Sequence, residues 1–291
     1  TLPLLLQLIN KSLVIADERG TETRYRMLES IRHYALEKLS EAGEEPEVRQ
    51  RHFDYYLALA EQSHDPSLIG KRLSHWAQAV AAEWSNLRSA FVWSRSTVNQ
   101  AERQLRLVEA LGFFWMLRYG YMEGIGWIEE ALAQESQEVP SLRAIALARL
   151  ADLSARVGRN PSPFMEEAWA IFTQTNEKFG MGYCLILKAF ALQADPTRFE
   201  QALLYHQQAL RYFQEIGHLW SIGHALRFTA DAHALLKQND AAICRYIECV
   251  EYGRKYEEPT IVRWALGGLS AVDRKQALAL CQNELAYQRQ H

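Results

Sequence analysis

The sequence predicts an almost entirely α-helical protein, most of which is a solenoid of helical hairpins. Only eight prolines and fifteen glycines occur in 291 residues, which favours helix throughout. Along the C-terminal two-thirds a pattern recurs: a small residue, a bulky residue four positions on, and a small or thin residue three positions later. Four copies end at Ala131, Ala168, Ala209 and Cys249, which are 37, 41 and 40 residues apart. A period near 40 is typical of stacked two-helix repeats, which form binding surfaces more often than catalytic sites.

Composition excludes several classes of protein. A net charge of −3 argues against a broad nucleic-acid surface, which needs an excess of Lys and Arg on one face. No apolar run approaches 18 residues, so no transmembrane helix is expected. The four cysteines form no CxxC pair, which favours reduced thiols in a cytoplasmic protein over disulfides or structural zinc. Because the chain begins at Thr1 in mid-pattern, we expect it to be part of a longer protein.

Residues 1–45 are predicted to be the end of a winged-helix domain with one β-hairpin. A short helix over residues 2–12 precedes strands at 13–15 and 23–27, which are joined by a turn at 17–20. A second helix runs from Glu29 to a glycine stop near residue 43. The hairpin arginines at positions 19, 24 and 26 suggest DNA contact. They alternate with acidic residues, however, and this favours an ordinary solvated hairpin.

Residues 46–100 are predicted to be a helical connector. One helix is expected over residues 48–62 and a single long helix over residues 71–95. Trp76, Trp84 and Trp93 would suit an aromatic ligand platform, but tryptophans at helical spacing more often fill a helix–helix interface. The connector histidines at 52, 64 and 75 lack the four-residue spacing of a helical metal site, so no metal is expected.

Residues 101–291 carry the repeats. In the first unit a helix containing Leu111, Gly112 and Trp115 is followed by one containing Gly124 and Ala131. This order of bulky and small positions resembles the tetratricopeptide (TPR) repeat, and about four such hairpins are expected. The segment around residues 186–193 fits the pattern least well.

In such solenoids the first helix of each hairpin lines the concave face. Projecting the first and last clear units onto that face gives the predicted binding residues: Arg106, Glu109, Phe113, Met116, His224, Arg227 and Asp231. Arg227 and Asp231 would suit a polar ligand through charge-assisted hydrogen bonds. The alternative is an internal ion pair on a solvated helix face. No GxSxG, HExxH or GxxxxGK[ST] motif occurs, so no catalysis is expected from this chain.

Particular stretches carry a family resemblance. NKSLV, the hairpin and RYRMLESIRHYALEKL resemble the winged-helix region of bacterial STAND-type regulatory ATPases of the LuxR/AfsR kind, which are similar to NB-ARC proteins. RHFDYYLALAE and EWSNLRSAFVW resemble the helical segment that follows in those proteins. The resemblance spans residues 5–135 and is generic beyond them.

The resemblance implies a role for the chain. It would be the sensor and interaction arm of a transcriptional regulator, in which a protein partner or small-molecule inducer binds the repeats. ATP or ADP would bind a nucleotide-binding domain elsewhere in the protein, and the full-length protein would oligomerise. In this family the winged helix usually clamps domains together, so direct DNA binding by the hairpin is not expected. The alternative is a stand-alone TPR scaffold that joins two proteins without a switch.

Overall fold

The computed structural model describes residues 2–19, 22–95, 97, 100–118, 120–134 and 140–281. Within these residues the chain is helical apart from one hairpin, which confirms the predicted fold class. The helices are α1 (Leu2–Asn10), α2 (Glu29–Glu41), α3 (Glu45–Glu61), α4 (Gly70–Ala82), α5 (Trp84–Arg95), α6 (Ala101–Arg118), α7 (Tyr121–Leu132), α8 (Pro140–Arg156), α9 (Ser162–Thr175), α10 (Lys178–Leu192), α11 (Phe199–Ile216), α12 (Leu219–Leu235), α13 (Asn239–Lys255) and α14 (Pro259–Val272), with residues 274–281 also helical. The chain divides into two compact units, Thr1–Tyr55 and Tyr56–His291. None of the helices described is long and apolar enough to cross a membrane.

In the first compact unit the first β-strand lies later than predicted, whereas the second begins one residue earlier. Strands β1 (Ile15–Arg19) and β2 (Glu22–Arg26) pair antiparallel, with Ile15 opposite Arg26. Residues 11–14, partly assigned to the strand from sequence, instead close the end of α1. The amides of residues 13 and 14 donate to the carbonyl of Leu8, and Ser12 adopts a left-handed φ of 57°. Residues 17–19, which were predicted to belong to the turn, are instead part of β1. Gly20, the last residue of the predicted turn, lies outside the described residues.

The single long helix predicted over residues 71–95 is wrong: the chain breaks at Glu83 between α4 and α5. Glu83 has non-helical dihedrals (φ −99°, ψ 13°). Its carboxylate accepts hydrogen bonds from the Tyr56 hydroxyl at 3.1 Å and the Asn86 side-chain amide at 2.6 Å, and these bonds hold the turn. Trp84, directly after the break, stacks on Trp127 of α7 with ring centroids 5.5 Å apart, which agrees with the core-packing interpretation of the tryptophans.

The repeats form four hairpins, α6–α7, α8–α9, α10–α11 and α12–α13, and α14 packs on the last of them. The small positions of the sequence pattern lie where helices approach closely. A Cβ on Gly124 would be 2.8 Å from the Trp115 ring and from the Leu153 side chain. The third hairpin, which fits the pattern least well, has a 3-10 turn at Pro196–Arg198 between its helices.

Candidate ligand groove

The first helices of the hairpins, together with α14, surround one groove within the second unit. Residues of α6, α8, α10, α12 and α14 all line it, and its volume is about 1250 Å³. Typical small-molecule pockets measure roughly 300–1,000 Å³. The groove is therefore large enough for a ligand bigger than an ordinary metabolite.

Most of the residues predicted from sequence lie in this groove. Five of the seven line it: Glu109, Phe113, Met116, His224 and Arg227. Asp231 lies in a smaller adjoining cavity of about 310 Å³, which shares Arg227 with the groove. Arg106 lines neither cavity. Its guanidinium instead pairs with both carboxylate oxygens of Glu61, at 2.7 and 3.0 Å.

The walls of the groove are largely aromatic. Phe113 of α6 meets Trp220 of α12 edge-on at 5.0 Å, so the first and fourth hairpins touch. Trp220 contacts the His224 ring at 4.2 Å, and His224 lies 5.2 Å from the Trp264 ring of α14. Burial, reinforced by the positive charge of Arg227, lowers the pKa of His224 to about 3. His224 is therefore a neutral part of the aromatic wall at neutral pH.

One group of charged residues lies on α8. The Arg149 guanidinium sits over the Tyr183 ring at 4.7 Å, and its aliphatic stem lies against Gly112 of α6. Asp152 accepts from Arg156 Nε at 3.0 Å and from the Tyr183 hydroxyl at 2.7 Å. Burial raises the pKa of Tyr183, so its hydroxyl stays protonated and donates this bond.

A second group lies on α12, near the adjoining cavity. Arg227 and Asp231 form the ion pair foreseen as the alternative to ligand binding, with Nη1–Oδ2 at 2.6 Å. The other carboxylate oxygen accepts from the Tyr246 hydroxyl at 2.7 Å. Both oxygens of Asp231 are thus occupied within the protein. Arg227 also lies over the Phe228 ring at 4.3 Å, and so forms part of the groove wall.

Residues 62–70, which we call the strap, run along one side of the groove. Part of the strap, including His64 and Pro66, lines the groove. The His64 ring pairs with the Glu109 carboxylate, which raises the pKa of the imidazole. The Pro66 carbonyl accepts from the Leu219 amide at 2.9 Å. The strap thus links the start of α12 to α6, a link that the repeat pattern does not indicate.

The far end of the strap is tied to the last repeats. The Gly70 amide donates to Glu258 Oε2 at 2.8 Å, and Oε1 of the same carboxylate accepts from the Thr260 amide at the start of α14. Glu258 is only 4% exposed. A buried carboxylate with both oxygens bonded fixes the strap against α14.

Sequence reasoning missed several residues of the groove. Arg149, His218, Trp220 and Trp264 all line it, and none of them was among the predicted binding residues. Arg149 lies on the first helix of the second hairpin, so the same projection applied to every repeat would have included it.

The fold and groove together define a TPR-like helical-repeat protein. No family model matches the chain. It is 38% identical over 158 residues to proteins of Mycobacterium bovis and Mycobacterium tuberculosis that are named as candidate HTH-type transcriptional regulators. The match covers 53% of this chain and only 18% of each relative. These names support the resemblance to transcriptional regulators drawn from the sequence.

Solved structures share the fold at low sequence identity. A STAND protein with a tetratricopeptide repeat sensor from Pyrococcus horikoshii is 14% identical, with a TM-score of 0.54 over 94% of this chain and 43% of that one. A Rap protein in complex with competence and sporulation factor is 12% identical, with a TM-score of 0.55 over 84% of this chain and 75% of the Rap chain. BtubC from P. vanneervenii is 14% identical, with a TM-score of 0.53 over 84% and 93%. These likenesses confirm the TPR-like fold.

Proposed function

We propose that this chain is the sensor and interaction arm of a STAND-type transcriptional regulator of the bacterial cytoplasm. An inducer or a partner protein binds the groove. The observation that carries the proposal is that the leading helix of every hairpin, together with α14, contributes to one aromatic groove of about 1250 Å³. The names of the mycobacterial relatives and of the STAND neighbour support the same role.

The strap supplies a route by which binding changes the rest of the protein. It lines the groove and bonds to both α6 and α12, so a ligand that shifts one helix relative to the other alters the strap contacts. A ligand switches the protein only if it binds the two arrangements with different affinity. By the sequence resemblance, the element that responds is a nucleotide-binding domain that holds ATP or ADP.

Photo-crosslinking in cells tests the groove. A photoreactive amino acid replaces Met116, which lines the groove, or Met122, which is 66% exposed and outside it, in the full-length regulator. We expect position 116 to capture a specific ligand, identified by mass spectrometry, and position 122 not to capture it. Equal capture at both positions, or none at 116, contradicts the proposal.

The captured ligand then separates a switch from a scaffold. A ligand that changes nucleotide exchange or hydrolysis by the full-length protein supports the sensor role. A ligand that binds tightly and leaves both rates unchanged supports the stand-alone TPR scaffold instead.

A further inference from the structure

The charges that line the groove are unevenly partnered. Its four arginines are Arg149, Arg156, Arg227 and Arg263. Arg156 and Arg227 pair with aspartates one helical turn away. Among the residues that the structure describes, Arg149 and Arg263 have no carboxylate oxygen within 4 Å.

The acidic residues of the groove are already engaged. Each of the four carboxylates bonds to another protein group: Asp65 to Arg72 and Ser67, Glu109 to His64, Asp152 to Arg156 and Tyr183, and Glu177 to Ser141. The groove therefore offers cationic donors to a ligand and few free carboxylate oxygens.

Arg149 is the better positioned of the two unpaired arginines. Its stem lies so close to Gly112 that a Cβ there would be 2.7 Å from Arg149 Cδ, and the Tyr183 ring covers its other face. Arg149 Nε is buried and has no hydrogen-bond partner, whereas Arg263 is exposed to solvent. A guanidinium held between two helices loses little side-chain entropy when it pairs with an anion.

The surroundings of Arg149 favour a carboxylate over a phosphate. Glu109 and Asp152 lie close enough to interact electrostatically with Arg149. They would repel a dianionic phosphate more strongly than a singly charged carboxylate. A planar carboxylate also matches the two parallel donors of a guanidinium.

The rest of the groove sets the size and polarity of the ligand. Its aromatic side chains, among them Phe113, Phe179, Trp220, Phe228 and Trp264, suit apolar side chains. Its volume exceeds the usual range for a small metabolite. Building on the proposed function, we infer that the groove binds a peptide with apolar side chains and a carboxylate, which pairs with Arg149.

Three random hexapeptide libraries test this inference on the full-length protein. The first has free C-terminal carboxylates and no Asp or Glu, the second is amidated and has no Asp or Glu, and the third is amidated but contains Asp and Glu. We expect binding from the first or third library and not from the second. Comparing the binding of peptides from the first and third libraries then distinguishes a C-terminal carboxylate from an acidic side chain.

Two variants complete the test. Arg149→Gln removes the positive charge of Arg149 from the groove. Arg143→Gln removes a positive charge from the same helix, but Arg143 pairs with Glu167 and both lie outside the groove. We expect Arg149→Gln to weaken the selected peptides roughly 10- to 100-fold, as for loss of a charged hydrogen bond. Arg143→Gln should leave their affinity unchanged, and circular dichroism checks that both variants fold.

The outcomes separate the two proposals. Peptides that bind equally well from the second library, or equally well to Arg149→Gln, overturn the carboxylate inference and leave the groove as a binding site. If no library yields a binder but position 116 still captures a ligand in cells, the peptide class is wrong and the proposed function stands. Failure of both the libraries and the cross-linking overturns both.

Discussion

Replacing Gly70 by alanine tests whether the strap is fixed to the last repeats. Gly70 has a φ of +59°, and a Cβ there would lie 2.7 Å from the carbonyl oxygens of both Tyr256 and Glu257. These oxygens belong to the backbone, so the strap itself must move. The move breaks the bond from the Gly70 amide to the buried Glu258 carboxylate.

The expected decrease in the free energy of unfolding follows from two contributions. A left-handed conformation costs an alanine about 1–2 kcal/mol, and loss of a hydrogen bond to a charged group costs about 1.5–3 kcal/mol. Their sum is about 2.5–5 kcal/mol. At roughly 2–4 °C per kcal/mol for a domain of this size, we expect Tm to fall by roughly 5–20 °C.

Thermal unfolding followed by circular dichroism measures the effect, and Gly217→Ala is the matched control. Gly217 also has a positive φ, +67°, but a Cβ there would meet nothing within 4 Å. The control should show only the conformational cost of about 1–2 kcal/mol. Hydrogen exchange at the Leu219 amide, which bonds to the Pro66 carbonyl, should become faster only in Gly70→Ala. Equal Tm losses in the two variants, with unchanged exchange at Leu219, would refute the reasoning.

Two further predictions concern the repeat core. Gly180→Ala places a methyl group against the buried Phe172 ring and should lower the free energy of unfolding, measured in urea, by about 1–3 kcal/mol. Gly126→Ala, in open space within α7, should leave this free energy unchanged or raise it slightly. Equal effects of the two substitutions would contradict the packing at Gly180. Burial, together with the charge of Arg227, lowers the pKa of His206 to about 3, so below about pH 6.5 the unfolded chain binds a proton at this residue that the folded chain does not. The free energy of unfolding should therefore fall by about 1.6 kcal/mol between pH 6.5 and pH 5 because of His206 alone. His206→Gln should show a correspondingly smaller fall, and an unchanged pH dependence would contradict this assignment.

The sequence predicted the hairpins because their signal is local. Small residues recur at fixed offsets within each unit, and the close contacts at Gly124 show why a larger residue is excluded there. The concave placement of Glu109, Phe113 and Met116 followed from the same regularity. Projection is less reliable for a long side chain such as Arg106, which reaches Glu61 instead of the groove.

The helix break at Glu83 and the confinement of the Arg149 side chain depend on contacts between residues that are distant in the sequence. The residues around Glu83 are compatible with a continuous helix, and the turn is held in part by Tyr56, 27 positions earlier. Arg149 looks like any polar residue on a repeat helix. Only the placement of Gly112 and Tyr183 shows that its side chain is confined. Such contacts leave no periodic signal in a single sequence.

The contacts of the strap are the extreme case, because they join residues that are very far apart in the sequence. This separation makes the strap a suitable place to detect a change in the repeat array. Gly70 and Glu258 are 188 positions apart, whereas the repeat pattern relates helices only about 40 positions apart. Whether the last repeats reach the strap depends on the rotation added at every hairpin interface. A ligand that changes each rotation slightly therefore displaces the last repeats by the accumulated amount. The hydrogen bonds of Pro66 and Gly70 are where that displacement should first appear.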